Sequence, residues 1–401
     1  MGRKLLINVA LVVITVAVCL GVVEVGLRGY LKMQRRYGPE HARDKALGWV
    51  KTKSEDAFDR PGEYYGKHDT FALMRYSTYV GYFPSAHHTG DGYQTNNLGF
   101  RNTEDIALVK PADEVRVVVL GGSTAWGAGV LQEDTYAAML QSLLQAQLPG
   151  KAVRVWNAGV GAYLSTHERA LVVDKVAALR PDAVVHLTGW NDTYSGYRGF
   201  DITDDRWDYT SSAAVLGQFH KMFTYDADSA LGVDPGPPTR AQHDLALFYL
   251  LDQPYYAKQL DAKQKPHDQV VEGLLYNMKI ARTAADEVPV YLVALQPTLY
   301  ATKKALSPFE VEMKAHNQAQ TPAFGDYNAA VYARYRALLP ERLAALRIDM
   351  VDMDEAISAE ARSVFIDHVH FGDRGNRMMA ERLLQALLPK LSPSSVPPPP
   401  E

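Results

Sequence analysis

Residues Val115-Arg116-Val117-Val118-Val119-Leu120 constrain the fold more than any other stretch of the chain. A nearly continuous apolar run of this length suits a central parallel strand covered on both faces. Apolar runs at 153–156, 183–187, 288–294 and 348–351 predict four further strands. Between and after them, helical patterns fall at 136–147, 165–179, 268–286, 326–346 and 375–390. Strands alternating with helices predict an α/β layered fold around a parallel sheet. Right-handed crossovers bring the C-terminal ends of such strands to one edge, where sites in these sheets form.

Other segments depart from this alternation. Residues 24–60 are polar and charged and read as a juxtamembrane helix and linker. Residues 61–113 are rich in Tyr, Gly and His, with short β-like pieces such as Tyr79-Val80-Gly81-Tyr82. Residues 195–265 read as an aromatic, partly helical insertion over the site. It contains Tyr194 at its border and Tyr197, Trp207, Tyr209, Phe219, Tyr225, Tyr249, Tyr255 and Tyr256. These rings would either stack on sugars or form the insertion's own small core. The end, SPSSVPPPPE, is too rich in Pro and Ser to build a core and is expected to be disordered. The predicted organisation is an anchor over 1–30, an extension over 31–113, an α/β domain over 114–390 and a tail over 391–401.

The anchor rests on Leu5 to Val23, 19 residues without a charge. As a helix it would rise about 28 Å, close to the hydrocarbon thickness of a bilayer. A cleaved signal peptide is the alternative, but the small-residue site around Ala17-Val18-Cys19 is poor and Val18 spoils a lipobox. A buried core helix is the third reading. Arg28, Lys32, Arg35 and Arg36 favour a cytoplasmic C-terminal flank. The four-residue N-terminal tail instead has the form of a signal anchor that exports the chain beyond it.

Composition excludes several classes. With 42 Lys and Arg against 46 Asp and Glu, the formal charge is −4, which leaves no basic footprint for nucleic acid. One cysteine, Cys19, rules out an intramolecular disulfide framework and a Cys-rich zinc module. At 47% hydrophobic and 22% charged residues, the chain has the balance of a globular protein. No repeat of 20–50 residues is visible, against a solenoid or propeller.

The chemistry-bearing residues gather at strand ends. The first strand ends in Gly121-Gly122-Ser123. Two glycines permit a tight turn, and Ser123 falls at a helix start, where free N–H groups can help an oxyanion. An ordinary N-cap serine would look the same. The second strand ends in Asn157-Ala158-Gly159-Val160-Gly161-Ala162, a small-residue loop whose amides could face a ligand. The third ends in Gly189-Trp190-Asn191-Asp192, a turn-forming pair or an amide donor into the same edge. Near the C-terminus stands Asp367-His368-Val369-His370. An Asp three residues before a His can fix its tautomer and leave it as general base toward a serine. A structural Asp–His pair, or metal binding by His368 and His370, are the alternatives.

Taken together, the order GGS…NAGVGA…GWND…DHVH resembles the SGNH, or GDSL-like, hydrolase superfamily. TNNLGFR (95–101), VLGGSTAWGAGV (119–130), EDTY (133–136), PDAVV (181–185), ALQPTL (294–299) and an N-terminal membrane segment ending in EVGLR are similar to its bacterial envelope members. The resemblance covers most of 90–390, apart from the insertion. It implies a three-layer, flavodoxin-like SGNH fold, with the membrane helix added and the catalytic domain outside the cytoplasm, periplasmic or at the cell surface. It implies Ser123 as nucleophile, His370 as base and Asp367 as its orienting partner. The Ser123 N–H, a backbone N–H of the second loop and the Asn191 side chain would form the oxyanion hole.

Two departures stand out. Gly122 replaces the aspartate of the GDS signature. Ala162 stands before Tyr163 where the family usually has Gly. Register favours Ala162 as the loop donor. A positive φ requirement would instead point to Gly161 and a shifted loop. The expected reaction is hydrolysis of an ester, acetyl above all, on an envelope or extracellular polysaccharide, with no metal or organic cofactor. A glycan O-acetyltransferase using the same triad is the second reading, and an inactive glycan-binding scaffold the third.

Overall fold

In the computed structural model, the described residues are 54–59, 74–77, 79–90, 92–199 and 264–392, with scattered positions between 8 and 26. Contacts divide the chain into two units. One comprises Val50–Met222 and Ala262–Glu401 and carries the sheet and the site. The other comprises Met1–Trp49 and Phe223–Asp261. Its described positions are helical. No helix among the described residues is long and apolar enough to cross a membrane. The Leu5–Val23 run is described only in part, and the insertion between 200 and 263 and the tail from 393 lie outside the described residues.

Two short hairpins come first: β1 (Met74–Ser77) with β2 (Gly81–Pro84), and β3 (Thr89–Gly90) with β4 (Tyr93–Gln94). The parallel sheet contains β5 (Glu114–Gly121), β6 (Ala152–Asn157), β7 (Ala183–Thr188), β8 (Val290–Leu295) and β9 (Asp349–Asp352). Its spatial order is β6-β5-β7-β8-β9. The order reverses at β5, so the crevice between the carboxyl ends of β5 and β7 is where a doubly wound sheet binds its ligand.

Every residue of β5 is buried. That includes Arg116, whose Nε lies 2.6 Å from Glu114 Oε1 while its terminal nitrogens donate to the Leu179 and Ala107 carbonyls. A paired and fully bonded guanidinium is what lets this strand stay central despite its charge.

The helices are α1 (Ser123–Trp126), α2 (Tyr136–Gln147), α3 (Ser165–Leu171), α4 (Trp190–Tyr197), α5 (His267–Ala284), α6 (Pro308–Gln320), α7 (Pro322–Ala344), α8 (Asp354–Ile357) and α9 (Asp373–Leu391). α2 packs on α9, while α3, α5 and α7 pack together. Val118, Leu120, Val184, Val293 and Leu295 of the sheet join Leu171, Leu274, Met278, Val331 and Leu339 of those last three helices in one core.

Several boundaries differ from the sequence reading. The expected helix 165–179 is α-helical only to Leu171, then π over Val172–Val176 and 3-10 over Ala177–Leu179. Helix α4 runs through 195–197, so regular structure extends past the expected start of the insertion. Helix α6 was not expected at all. The extension is no mere linker: Met74, Val80, Tyr82, Phe83, Tyr93, Phe100 and Ile106 are buried in the main core. Further back, Arg374 donates to the Asp56 and Phe58 carbonyls and to Asp59 Oδ1, tying 56–59 to the start of α9.

Candidate active site

The site is built where β5 turns into α1. Gly121 has φ 146°, and a Cβ there would lie 2.3 Å from the Leu187 carbonyl oxygen of the neighbouring strand. Gly122 stands at the N-cap of α1 and Ser123 at its first helical position. The Ser123 hydroxyl therefore caps nothing. It lies 2.6 Å from His370 Nε2.

His370 Nδ1 lies 2.6 Å from Asp367 Oδ2. The other Asp367 oxygen accepts the Val369 and His370 backbone N–H groups, each at 2.8 Å. Such bonds hold an ionised carboxylate in one orientation. Burial works to raise the Asp367 pKa, but the charge and hydrogen bond of His370, with His368 and the backbone bond, hold it well below the usual carboxylate range. For His370, burial works to lower the pKa. The Asp367 charge and hydrogen bond outweigh it, so the imidazole is raised above 6.5.

The sign of this shift gives a prediction. A histidine base works only when neutral, and a raised pKa keeps it protonated to higher pH. The acid limb of kcat/KM against pH should therefore have its midpoint above 6.5. A pH–rate profile with its limb at or below that value would contradict the Asp367–His370 coupling.

Asn191 lies in the first turn of α4 and donates from Nδ2 to the Tyr163 carbonyl at 2.7 Å. An amide nitrogen carries two protons, so one remains for another acceptor. A Cβ on residue 122 would come 2.3 Å from Asn191 Nδ2. A glycine at 122 is thus what lets this amide close against the turn that carries Ser123. Next to it, Asp192 accepts from the Ser165 hydroxyl at 2.5 Å, tying the start of α4 to the start of α3. Burial pushes the Asp192 carboxyl up to about 7, against the lowering effect of the Ser165 hydroxyl.

In the second loop the left-handed residue is Ala162, with φ 62°, and not Gly161. The positive φ thus falls on the position just before Tyr163. Here an alanine occupies it, at a cost of about 1–2 kcal/mol. Neither Gly161 nor Ala162 gives its backbone N–H to a partner among the described residues.

Sequence reasoning assigned no role to several supporting residues. Gln296 Nε2 donates to Thr124 Oγ1 at 2.7 Å, and the Leu299 N–H donates to the His368 carbonyl at 2.9 Å. The segment after β8 therefore joins the turn carrying Ser123 to the loop carrying His370. Arg101 donates to the Trp126, Gly127 and Val130 carbonyls, each at 2.8 Å, and braces the exit of α1. Burial lowers its pKa to about 9. Glu310 Oε1 accepts the Val364 and Phe365 N–H groups and props the segment leading to Asp367. The only signals for these were the ALQPTL and TNNLGFR matches and the Ser307/Glu310 spacing.

His368 makes a ring contact instead of facing His370. It stacks on Trp190 with ring centroids 4.8 Å apart. Among the described residues no group of three or more His, Cys, Asp or Glu could hold a metal ion. Tyr194 and Tyr197 pack against Phe324 at 5.4 and 5.0 Å, forming a local core. Trp207, Tyr209, Phe219, Tyr225, Tyr249, Tyr255 and Tyr256 lie outside the described residues.

Comparison with curated proteins gives no match. Among solved structures, a catalytic mutant of an acetylxylan esterase from Geobacillus stearothermophilus is 12% identical, with 73% of this chain and 100% of that one covered and a TM-score of 0.40. An α/β hydrolase from the metagenome of Lake Arreo, Spain, is 15% identical, over 70% and 96% of the two chains, with a TM-score of 0.37. A putative acylhydrolase from Bacteroides fragilis is also 15% identical, over 71% and 92%, at 0.35. The family model of the GDSL-like lipases and acylhydrolases matches residues 119–378. That span opens within β5 and closes in the first turns of α9, and on it the chain belongs to the GDSL-like lipase/acylhydrolase family.

Proposed function

We propose that the chain is a serine esterase of the SGNH type that removes acetyl groups from an envelope or extracellular polysaccharide. The observation that carries the reaction is the unbroken run of short contacts from Ser123 through His370 to Asp367, 2.6 Å at each step. Asp367 accepts from Nδ1–H, which leaves the Nε2 lone pair facing the serine hydroxyl. Ser123 Oγ attacks the ester carbonyl while its proton passes to His370. The tetrahedral oxyanion takes hydrogen bonds from the Ser123 N–H, the Ala162 N–H and the second Asn191 amide proton, each worth about 3–4 kcal/mol in comparable sites. Collapse expels the alcohol, which takes the proton from His370. Water, deprotonated by the same imidazole, then releases the acid from Ser123.

The polysaccharide is inferred from location. The charge-free run Leu5–Val23 supports an uncleaved anchor, and export of the catalytic unit rests on the resemblance to bacterial envelope members. Also in favour, Leu11, Val12, Ile14, Val16, Val18 and Val22 are each more than half exposed, an apolar surface that a bilayer would cover. The full chain is expected to stay in the membrane pellet after alkaline carbonate extraction. A chain released to the supernatant would remove the anchor.

A fluorophosphonate probe tests the reaction class. Wild type should be labelled and Ser123→Ala should not. With an acetyl donor and glycan together, an esterase gives free acetate. Acetylated glycan with little acetate would make the protein a transferase, and glycan binding without labelling would make it a scaffold.

A further inference from the structure

Tyr82 lies on β2, ahead of the 119–378 span that the family model matches. Its side chain is buried, and its hydroxyl donates to the Gly161 carbonyl at 2.7 Å. The ring is fixed on several sides. It meets Tyr163 edge-on at 5.2 Å and His167 at 5.8 Å, and the Tyr163 hydroxyl donates back to the Tyr82 carbonyl. Tyr163 and His167 stack on each other at 4.8 Å. The hydroxyl is therefore a fixed point in the core.

The Gly161 carbonyl and the Ala162 N–H belong to one planar trans peptide, so they point in opposite directions. Holding the carbonyl on Tyr82 turns the N–H away from the core. Two residues on, the Tyr163 carbonyl accepts from Asn191 Nδ2 beside Gly122 and the nucleophile. Turning this peptide over would change φ of Ala162 and relieve its left-handed value of 62°. Alanine at 162 thus favours the flipped peptide, and the Tyr82 hydroxyl opposes the flip.

We infer that Tyr82 is a positioning residue that aims the Ala162 N–H as an oxyanion donor, so that the N-terminal extension takes part in catalysis. This rests on the serine esterase reading.

The test uses the full chain and a p-nitrophenyl acetate assay. Tyr82→Phe keeps the ring and its packing. It should lower kcat by about 10- to 100-fold, the usual scale for a misplaced or lost donor, with KM changed less than about 2-fold. Ala162→Gly in the Tyr82→Phe background should recover part of the lost kcat, because glycine has no reason to leave a positive φ. Loss of kcat in step with a loss of thermal stability, with no recovery from glycine, would make the hydroxyl merely structural and overturn the inference. Wild-type kcat in Tyr82→Phe beside an inactive Ser123→Ala would overturn it alone. Full activity in Ser123→Ala would bring down both the inference and the reading beneath it.

Discussion

Ser123→Ala is expected to lower kcat on a short p-nitrophenyl ester by about 10⁴-fold or more, the scale on which serine nucleophiles are lost elsewhere. The change removes one oxygen. It leaves α1, the Asn191 amide and the second loop in place, so a small residual rate over water should persist through the remaining donors. The variant should fold. Ser123 is only half-buried, and its hydroxyl has no capping role whose loss would weaken α1. The His370 imidazole it leaves behind is part exposed, so water can take the vacated bond. Near-normal thermal stability with kinetics unlike wild type therefore distinguishes a lost nucleophile from a lost fold. Full turnover by this variant would remove Ser123 from the mechanism, whatever its distance to His370.

Asn191→Ala is expected to lower kcat by about 10²–10³-fold with KM little changed, as for other oxyanion donors. The amide already spends one proton on the Tyr163 carbonyl at 2.7 Å, so on the proposed mechanism its second proton would meet the charge only as it develops. Losing the Tyr163 bond should also cost about 1 kcal/mol of stability, measurable by denaturant unfolding. Gly122→Ala acts on the same group by displacement, since its Cβ would need the space that Asn191 Nδ2 occupies at 2.3 Å. It should lower kcat in the same direction. A fall in kcat/KM matched by an equal rise in KM, with kcat intact, would make Asn191 a ground-state binding residue and not an oxyanion donor.

The parts of the fold legible in the sequence were those set by local pattern. Buried parallel strands are apolar on both faces, so β5 and β7 stood out within a residue or two of their observed ends. Helix α2 matched its expected span because Thr135 caps it and the apolar period is clean. Helix α6 carried a readable signal in Ser307 and Glu310, a capping box with Pro308 at the first position, that apolar periodicity alone passes over. Other features were not local. Tyr82 meets Gly161 across 79 positions and Gln296 meets Thr124 across 172, and no spacing rule links such pairs. The strained φ at Ala162 was invisible for a related reason: an alanine gives no hint that its backbone is left-handed.

The proposed nucleophile and its base stand 247 positions apart, and the base sits just ahead of the final helix α9. That helix is fastened to the front of the domain, where Asn376 Oδ1 accepts the Tyr136 N–H at 3.1 Å. During synthesis the serine emerges long before its imidazole. On the proposed mechanism, a polypeptide stalled or clipped anywhere before residue 370 would carry an inert hydroxyl, and turnover would wait until the last segment of the domain had left the ribosome and docked.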